Sequence, residues 1–119
     1  MQKVNLQEKF ALFDTYWDPK IAGELNGQYV KLAKFKGEFP WHHHEREDEM
    51  FLVLRGTITI RLCDKDVLLE EGEFFIVPRG VEHMPVAQEE AHILLFEPQS
   101  TLNTGNVKSA ITKENLERI

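Results

Sequence analysis

Glu49-Met50-Phe51-Leu52-Val53-Leu54-Arg55-Gly56-Thr57-Ile58-Thr59-Ile60-Arg61-Leu62 is the stretch that decides the fold. Met50 to Leu54 is the longest unbroken apolar run in the chain, and at five residues it has the length of a buried strand. Arg55-Gly56 is a turn. Thr57 to Leu62 then alternates polar with apolar and is rich in β-branched residues, which predicts a strand with one face buried. Working outward, the same grammar repeats. Asp64-Lys65-Asp66 turns, Val67-Leu68-Leu69 is a short strand and Glu71-Gly72 turns. Phe74 to Val77 is a strand that Pro78 stops, and Pro78-Arg79-Gly80 turns again. Two further strands are predicted at Glu82–Ala87 and His92–Phe96, separated by polar Gln88-Glu89-Glu90. Upstream, Ile21 to Leu25 and Gln28 to Lys36 flank Asn26-Gly27, a pair that tolerates the positive φ of a two-residue hairpin. Val30 and Leu32 take one phase of the second strand and Ala33 and Phe35 the other. That predicts a bulge near Ala33 or burial on both faces. Gly37 is expected to end the strand.

Short strands separated by regular turn signals predict an all-β sandwich or barrel, and no core segment keeps a helical period. The ends differ. Asn5 is placed to cap a helical turn through Phe10, and Trp17-Asp18-Pro19 is a breaker. After Pro98 the chain turns polar, and Thr112 is placed to cap a short helix over Lys113–Arg118. The reading is one domain over residues 1–119, with a barrel core of about 28–97 and a tail over 98–119.

Composition narrows the function classes. A net charge of −6 lacks the basic excess of a nucleic-acid binder. The apolar runs are far short of the ~20 residues a membrane helix needs. Phe10 to Phe13 is too short for the apolar core of a leader. The single cysteine, Cys63, cannot form an intrachain disulfide and reads as a small buried strand residue, which fits a reducing cytoplasmic setting.

Leading into the Met50–Leu54 strand stands Phe39-Pro40-Trp41-His42-His43-His44-Glu45-Arg46-Glu47-Asp48-Glu49. On an extended segment His42 and His44 point to one face, roughly 6.6 Å apart, and can converge on one ion; on a helix they would diverge. His43 faces the other way and reads as a bystander. Of the acids, Glu49 ranks first because it opens a strand and can face inward. Asp48 ranks second, and Glu45, Arg46 and Glu47 read as a solvated turn. His83 follows a Pro-x-Gly turn and starts a strand, and by position alone such a histidine is more often a core or surface residue than a ligand. His92 reads as structural. Three adjacent histidines can equally form an exposed loop.

At these residues the chain resembles the cupin superfamily. Its first motif runs Gly, His-x-His, Glu, Gly. Here that reads Gly37, four residues, His42-His43-His44, four residues, Glu49, six residues, Gly56. The second motif runs Gly, Pro-x-Gly, His, Asn. Here it reads Gly72, five residues, Pro78-Arg79-Gly80, two residues, His83, three residues, Ala87. The first interval is one residue short, and Ala87 stands where asparagine is usual. The resemblance implies a cupin jelly-roll barrel with short terminal extensions. It also implies one divalent transition metal held by His42, His44, Glu49 and His83, and a homodimer. Closer still, the chain is similar to the small single-domain cupins labelled mannose-6-phosphate-isomerase-like, a label of fold kinship.

Three histidines and one carboxylate suit Fe, Mn, Ni, Zn, Cu or Co alike and leave up to two positions open on a six-coordinate ion. Phe35, Trp41 and Phe51 are candidates to line a pocket beside it. Phe74 and Phe75 could do so too, although each is more readily barrel core. Glu38, Arg55, Arg61 and Arg79 read as solvated. The expected function is binding, or dioxygenase-like or isomerase-like chemistry, on a small polar organic molecule. The alternatives are a non-catalytic small-ligand or metal-binding module and a structural protein with a vestigial site. No general base stands out beyond the ligands, with Glu82 only a guess.

Overall fold

The computed structural model describes residues 1–119. One short helix, α1 (Leu6–Phe10), precedes seven strands: β1 (Lys20–Leu25), β2 (Gln28–Glu38), β3 (Glu49–Arg55), β4 (Ile58–Leu62), β5 (Asp66–Leu69), β6 (Phe74–Val77) and β7 (His83–Pro98). All strand pairings are antiparallel, in the order β1-β2-β7-β3-β6, with β4 joining both β5 and β7. The expected hairpin is present: Asn26 and Gly27 both take positive φ, as a two-residue turn matched to strand twist requires. Asn5 caps α1 by accepting a hydrogen bond from the Glu8 amide at 2.9 Å.

The organising strand is β7. Along one side it pairs with β2 for most of its length. Along the other it pairs first with β4, through Met84, Pro85 and Val86, and then with β3, from His92 to Phe96. This corrects the expectation of two strands over 82–96. Gln88-Glu89-Glu90 stays extended and solvent-exposed, and it marks the point where the strand changes partner. The β2–β7 register slips there, with Phe35 opposite Ala91 but Gly37 opposite Ala87. The irregularity of β2 therefore lies at Lys36 and not near Ala33, and the strand runs through Gly37 to Glu38. Around Ala33 the second expectation holds, since Lys31, Leu32 and Ala33 are all buried, on alternating faces.

One phase of strands β2 to β7 faces inward. Ala33 and Phe35 of β2, Phe51 and Val53 of β3, Ile58 and Ile60 of β4, and Ile93 and Leu95 of β7 form a continuous buried cluster. A fully buried aliphatic or aromatic side chain contributes ~1.5–3 kcal/mol, so this inward phase is what holds the barrel closed. Ala87, at the place of the family asparagine, is an apolar member of the same cluster.

Two further expectations are corrected. Cys63 is exposed, because β4 ends at Leu62 and the chain turns there, with the Leu62 amide bonded to the Lys65 carbonyl. The tail forms no helix over 113–118, because its backbone is used elsewhere. The Lys113 amide goes to Asn103 Oδ1. The Ile21 amide goes to the Glu117 carbonyl, and the Ile119 amide to the Ile21 carbonyl. The chain end thus lies along β1, with Lys20 bonded to Glu117 and Arg118 to Glu24.

Candidate metal centre

His42, His44, Glu49 and His83 come together inside the barrel, all four buried, with one potential ligand atom from each within 4.8 Å of the others. Local structure explains each placement. His42 and His83 form an antiparallel bridge, each donating its amide to the other's carbonyl, at 3.0 and 2.9 Å. The link ties the pre-β3 segment to the start of β7. His44 is two residues on and returns to the same face. The His44 carbonyl accepts from the Gly80 amide at 2.7 Å, so the Pro-x-Gly turn also braces this segment. Glu49 is the first residue of β3 and shares the inward phase of Phe51 and Val53.

Backbone carbonyls set the ring orientations. His42 Nδ1 lies 2.8 Å from the Pro40 carbonyl and His83 Nδ1 lies 2.9 Å from the Val81 carbonyl. A carbonyl only accepts, so each Nδ1 carries the proton and each Nε2 keeps its lone pair free. His83 Nε2 points at Glu49 Oε1, 3.3 Å away. His44 Nε2 is also 3.3 Å from that oxygen, yet it is buried and makes no aligned hydrogen bond. A buried polar nitrogen without a partner costs roughly 1–3 kcal/mol. Three imidazoles and a carboxylate with ligand atoms this close fit a divalent ion, which would satisfy that nitrogen.

The electrostatics agree. Burial, reinforced by the neighbouring His83, pushes the His42 imidazole down to about 4, so it is neutral at pH 7. Burial alone would raise the Glu49 carboxyl. The facing His44 and His83 rings outweigh it and hold the carboxyl well below the ordinary range. The centre therefore sets a neutral His42 imidazole beside an ionised Glu49 carboxylate.

The rest of the histidine-acid stretch falls outside. His43 faces away and bonds Glu82 at 3.1 Å, which also removes Glu82 from the centre. Asp48 is exposed and binds Arg79 through its amide and guanidinium, and these contacts lower its carboxyl. Glu45 and Arg46 are exposed, and Glu47 accepts from Ser100. His92 stacks on Phe10 with ring centroids 4.5 Å apart.

A cavity of about 30 Å³ lies beside His42 and Glu49. Phe35 and Phe51 line it, as does Phe39. Trp41 does not, being 42% exposed on the outside. The aromatic that takes that place is Trp17.

The cavity also holds an ion pair that the sequence reading missed. Lys31 Nζ sits 2.9 Å from Glu97 Oε2 and 3.3 Å from the Thr101 carbonyl, with both side chains about 1% exposed. Glu97 Oε1 is buried with no partner. Burial and the adjacent Glu49 charge, opposed by Lys31, raise the Glu97 carboxyl well above its ordinary range. A signal was present: Lys31 shares the phase of Ala33 and Phe35, and Glu97 that of Ile93 and Leu95.

The family model described as Cupin domain matches residues 28–97. A cupin-2 domain containing protein from Shewanella frigidimarina is 43% identical, with a TM-score of 0.80 over 81% of this chain and 94% of that one. An uncharacterized Bacillus subtilis protein, YdbB, is 41% identical over 61 residues, 50% of this chain and 54% of its own length. The 3-hydroxyanthranilate 3,4-dioxygenase of Danio rerio is 27% identical over 104 residues, 79% of this chain and 35% of the enzyme. The chain thus spans about half the length of the Bacillus relative and a third of the dioxygenase.

Proposed function

The chain belongs to the cupin domain family, and on that premise we propose that it binds one divalent transition metal through His42, His44, Glu49 and His83 and acts there on a small polar organic molecule. The observation that carries this reading is the burial of four donor side chains whose ligand atoms lie within 4.8 Å of one another. A bound ion would supply Lewis-acid polarisation of a substrate oxygen or, as Fe(II), dioxygen chemistry. The protein's own groups do the rest. The Pro40 and Val81 carbonyls hold two rings with Nε2 inward. Phe35, Phe39 and Phe51 exclude bulk water. Glu97 Oε1, left free by Lys31, accepts a hydrogen bond from a bound molecule's hydroxyl or amine. The likeness to a dioxygenase supports oxygenase-like over isomerase-like chemistry.

Elemental analysis of untagged protein tests the ligand set. About one transition-metal ion per chain is expected, and His42→Ala or His83→Ala should lose most of it. Full metal content in both variants would refute the assignment. Oxygen uptake by the Fe(II) form with compact diketones and thiols separates an oxygenase from the non-catalytic binding module, which would bind ligand without uptake.

A second copy of the chain is the proposed partner. Phe74 and Ile76 of edge strand β6 are 59% and 49% exposed, and they continue the outward phase of Met50 and Leu52 across the sheet. Light scattering should give twice 13.9 kDa, and Phe74→Lys should give the monomer. A monomeric wild type would refute the pairing.

A further inference from the structure

The domain matched by the family model ends at residue 97, and the segments on either side of it reach the cavity. Trp17 and Pro19 come from the stretch before β1, and Asn103 from the tail. These residues are firmly held. The Trp17 amide donates to the Lys34 carbonyl at 2.9 Å, and its indole Nε1 donates to the Lys36 carbonyl at 2.8 Å. The ring stacks on Phe35 at 4.3 Å and packs on Phe39 at 4.9 Å. Its backbone is at φ +54, a conformation that a bulky side chain rarely adopts and that persists only where the surroundings enforce it. Asn103 is fixed as firmly, donating to the Ile111 carbonyl and accepting from the Lys113 amide, both at 2.9 Å. Two residues on, Gly105 lies against the His43 backbone and the His42 ring, which clasps the tail to the first ligand.

With these walls in place the cavity is about 30 Å³, room for roughly two water-sized groups. We infer that Trp17, carried by the N-terminal extension, sets the size limit of the ligand at the centre and restricts it to compact oxygen or nitrogen donors of a few atoms. The barrel supplies the donors and the extensions supply the selectivity. This inference rests on the metal reading above. It is separable from that reading because Trp17 contributes no ligand atom and lies on a different segment.

The test uses full-length protein loaded with Co²⁺ and read by its visible absorption. Formate and benzoate serve as probes: they offer the same carboxylate and differ in bulk. Wild-type protein should bind formate at least about tenfold more tightly than benzoate, the scale on which a pocket wall rejects extra bulk. Trp17→Ala should raise benzoate affinity by about tenfold or more and leave formate affinity within about twofold. Trp17→Phe keeps an aromatic wall and guards against loss of folding; it should give an intermediate shift. A purely structural Trp17 would leave the benzoate-to-formate ratio unchanged. That unchanged ratio in a Co²⁺-loaded variant would overturn the inference, as would wild-type protein that binds benzoate as tightly as formate. Failure of the wild type to take up Co²⁺ would instead overturn the metal reading, and this inference with it.

Discussion

Replacing Lys31 by methionine isolates the energetics of the buried pair behind the metal centre. Both partners are about 1% exposed, and the Nζ–Oε2 distance is 2.9 Å. Methionine keeps an unbranched apolar stem and removes the charge. Removing one partner of a buried pair costs roughly 3–5 kcal/mol, because the survivor is left charged in a poor solvent. Glu97 has a partial escape. Burial and the Glu49 charge already raise its carboxyl, so it can take up a proton once Lys31 is gone. The expected loss therefore sits at the low end, about 3 kcal/mol. In urea, with a slope of ~1.5 kcal/mol/M, that moves the midpoint down by ~2 M. Replacing both residues, in Lys31→Met/Glu97→Leu, removes the stranded charge and should return stability to within about 1 kcal/mol of wild type. Urea unfolding of metal-free protein at pH 7, run as a double-mutant cycle, measures the coupling. Two results would refute the reasoning: a single-variant loss below about 1 kcal/mol, or a double variant as unstable as the sum of its singles.

Three other predictions follow from the same geometry. Gly105→Ala would drive a Cβ into the His43 backbone and to 3.1 Å from His42 Cδ2, at a backbone φ of +56. Left-handed strain of ~1–2 kcal/mol plus overpacking of ~1–3 kcal/mol predicts a loss of about 2–5 kcal/mol, read by thermal unfolding, together with weaker metal uptake. Metal-free protein should lose stability as pH falls, because the His42 imidazole is depressed to about 4 when folded and recovers 6.5 when unfolded. The unfolded chain binds the extra proton first. This contribution is therefore complete above pH 6.5 and lost by about pH 4, amounting to ~3 kcal/mol; a His42→Gln variant with the same pH slope would contradict it. Finally, Asp48→Asn should retain the metal and Glu49→Gln should lose most of it, because Asp48 is engaged with Arg79 outside the barrel. Elemental analysis reads both.

The sequence by itself determined the strand grammar and the residues of the site. Period-two alternation is local, so Met50–Leu54, Thr57–Leu62 and Phe74–Val77 announced their strands. The same rule put His42 and His44 on one face and Glu49 inward. His83 needed the motif resemblance, because a lone histidine has no local period to place it. Where contacts are long-range, local pattern failed. Gln88-Glu89-Glu90 looked like a loop because it is polar, yet it is extended backbone at a change of partner. Thr112 looked like a helix cap, but the tail's backbone groups found partners on β1 and Asn103. Trp41 sits beside the first ligand in sequence and faces solvent, while Trp17, twenty-five residues before that ligand, reaches the cavity. Tertiary structure alone decided the Lys31–Glu97 pair, the size of the cavity and the roles of both extensions. Alternation tells each side chain whether it points in or out. Only register, bulges and the path of the ends decide which inward residues meet.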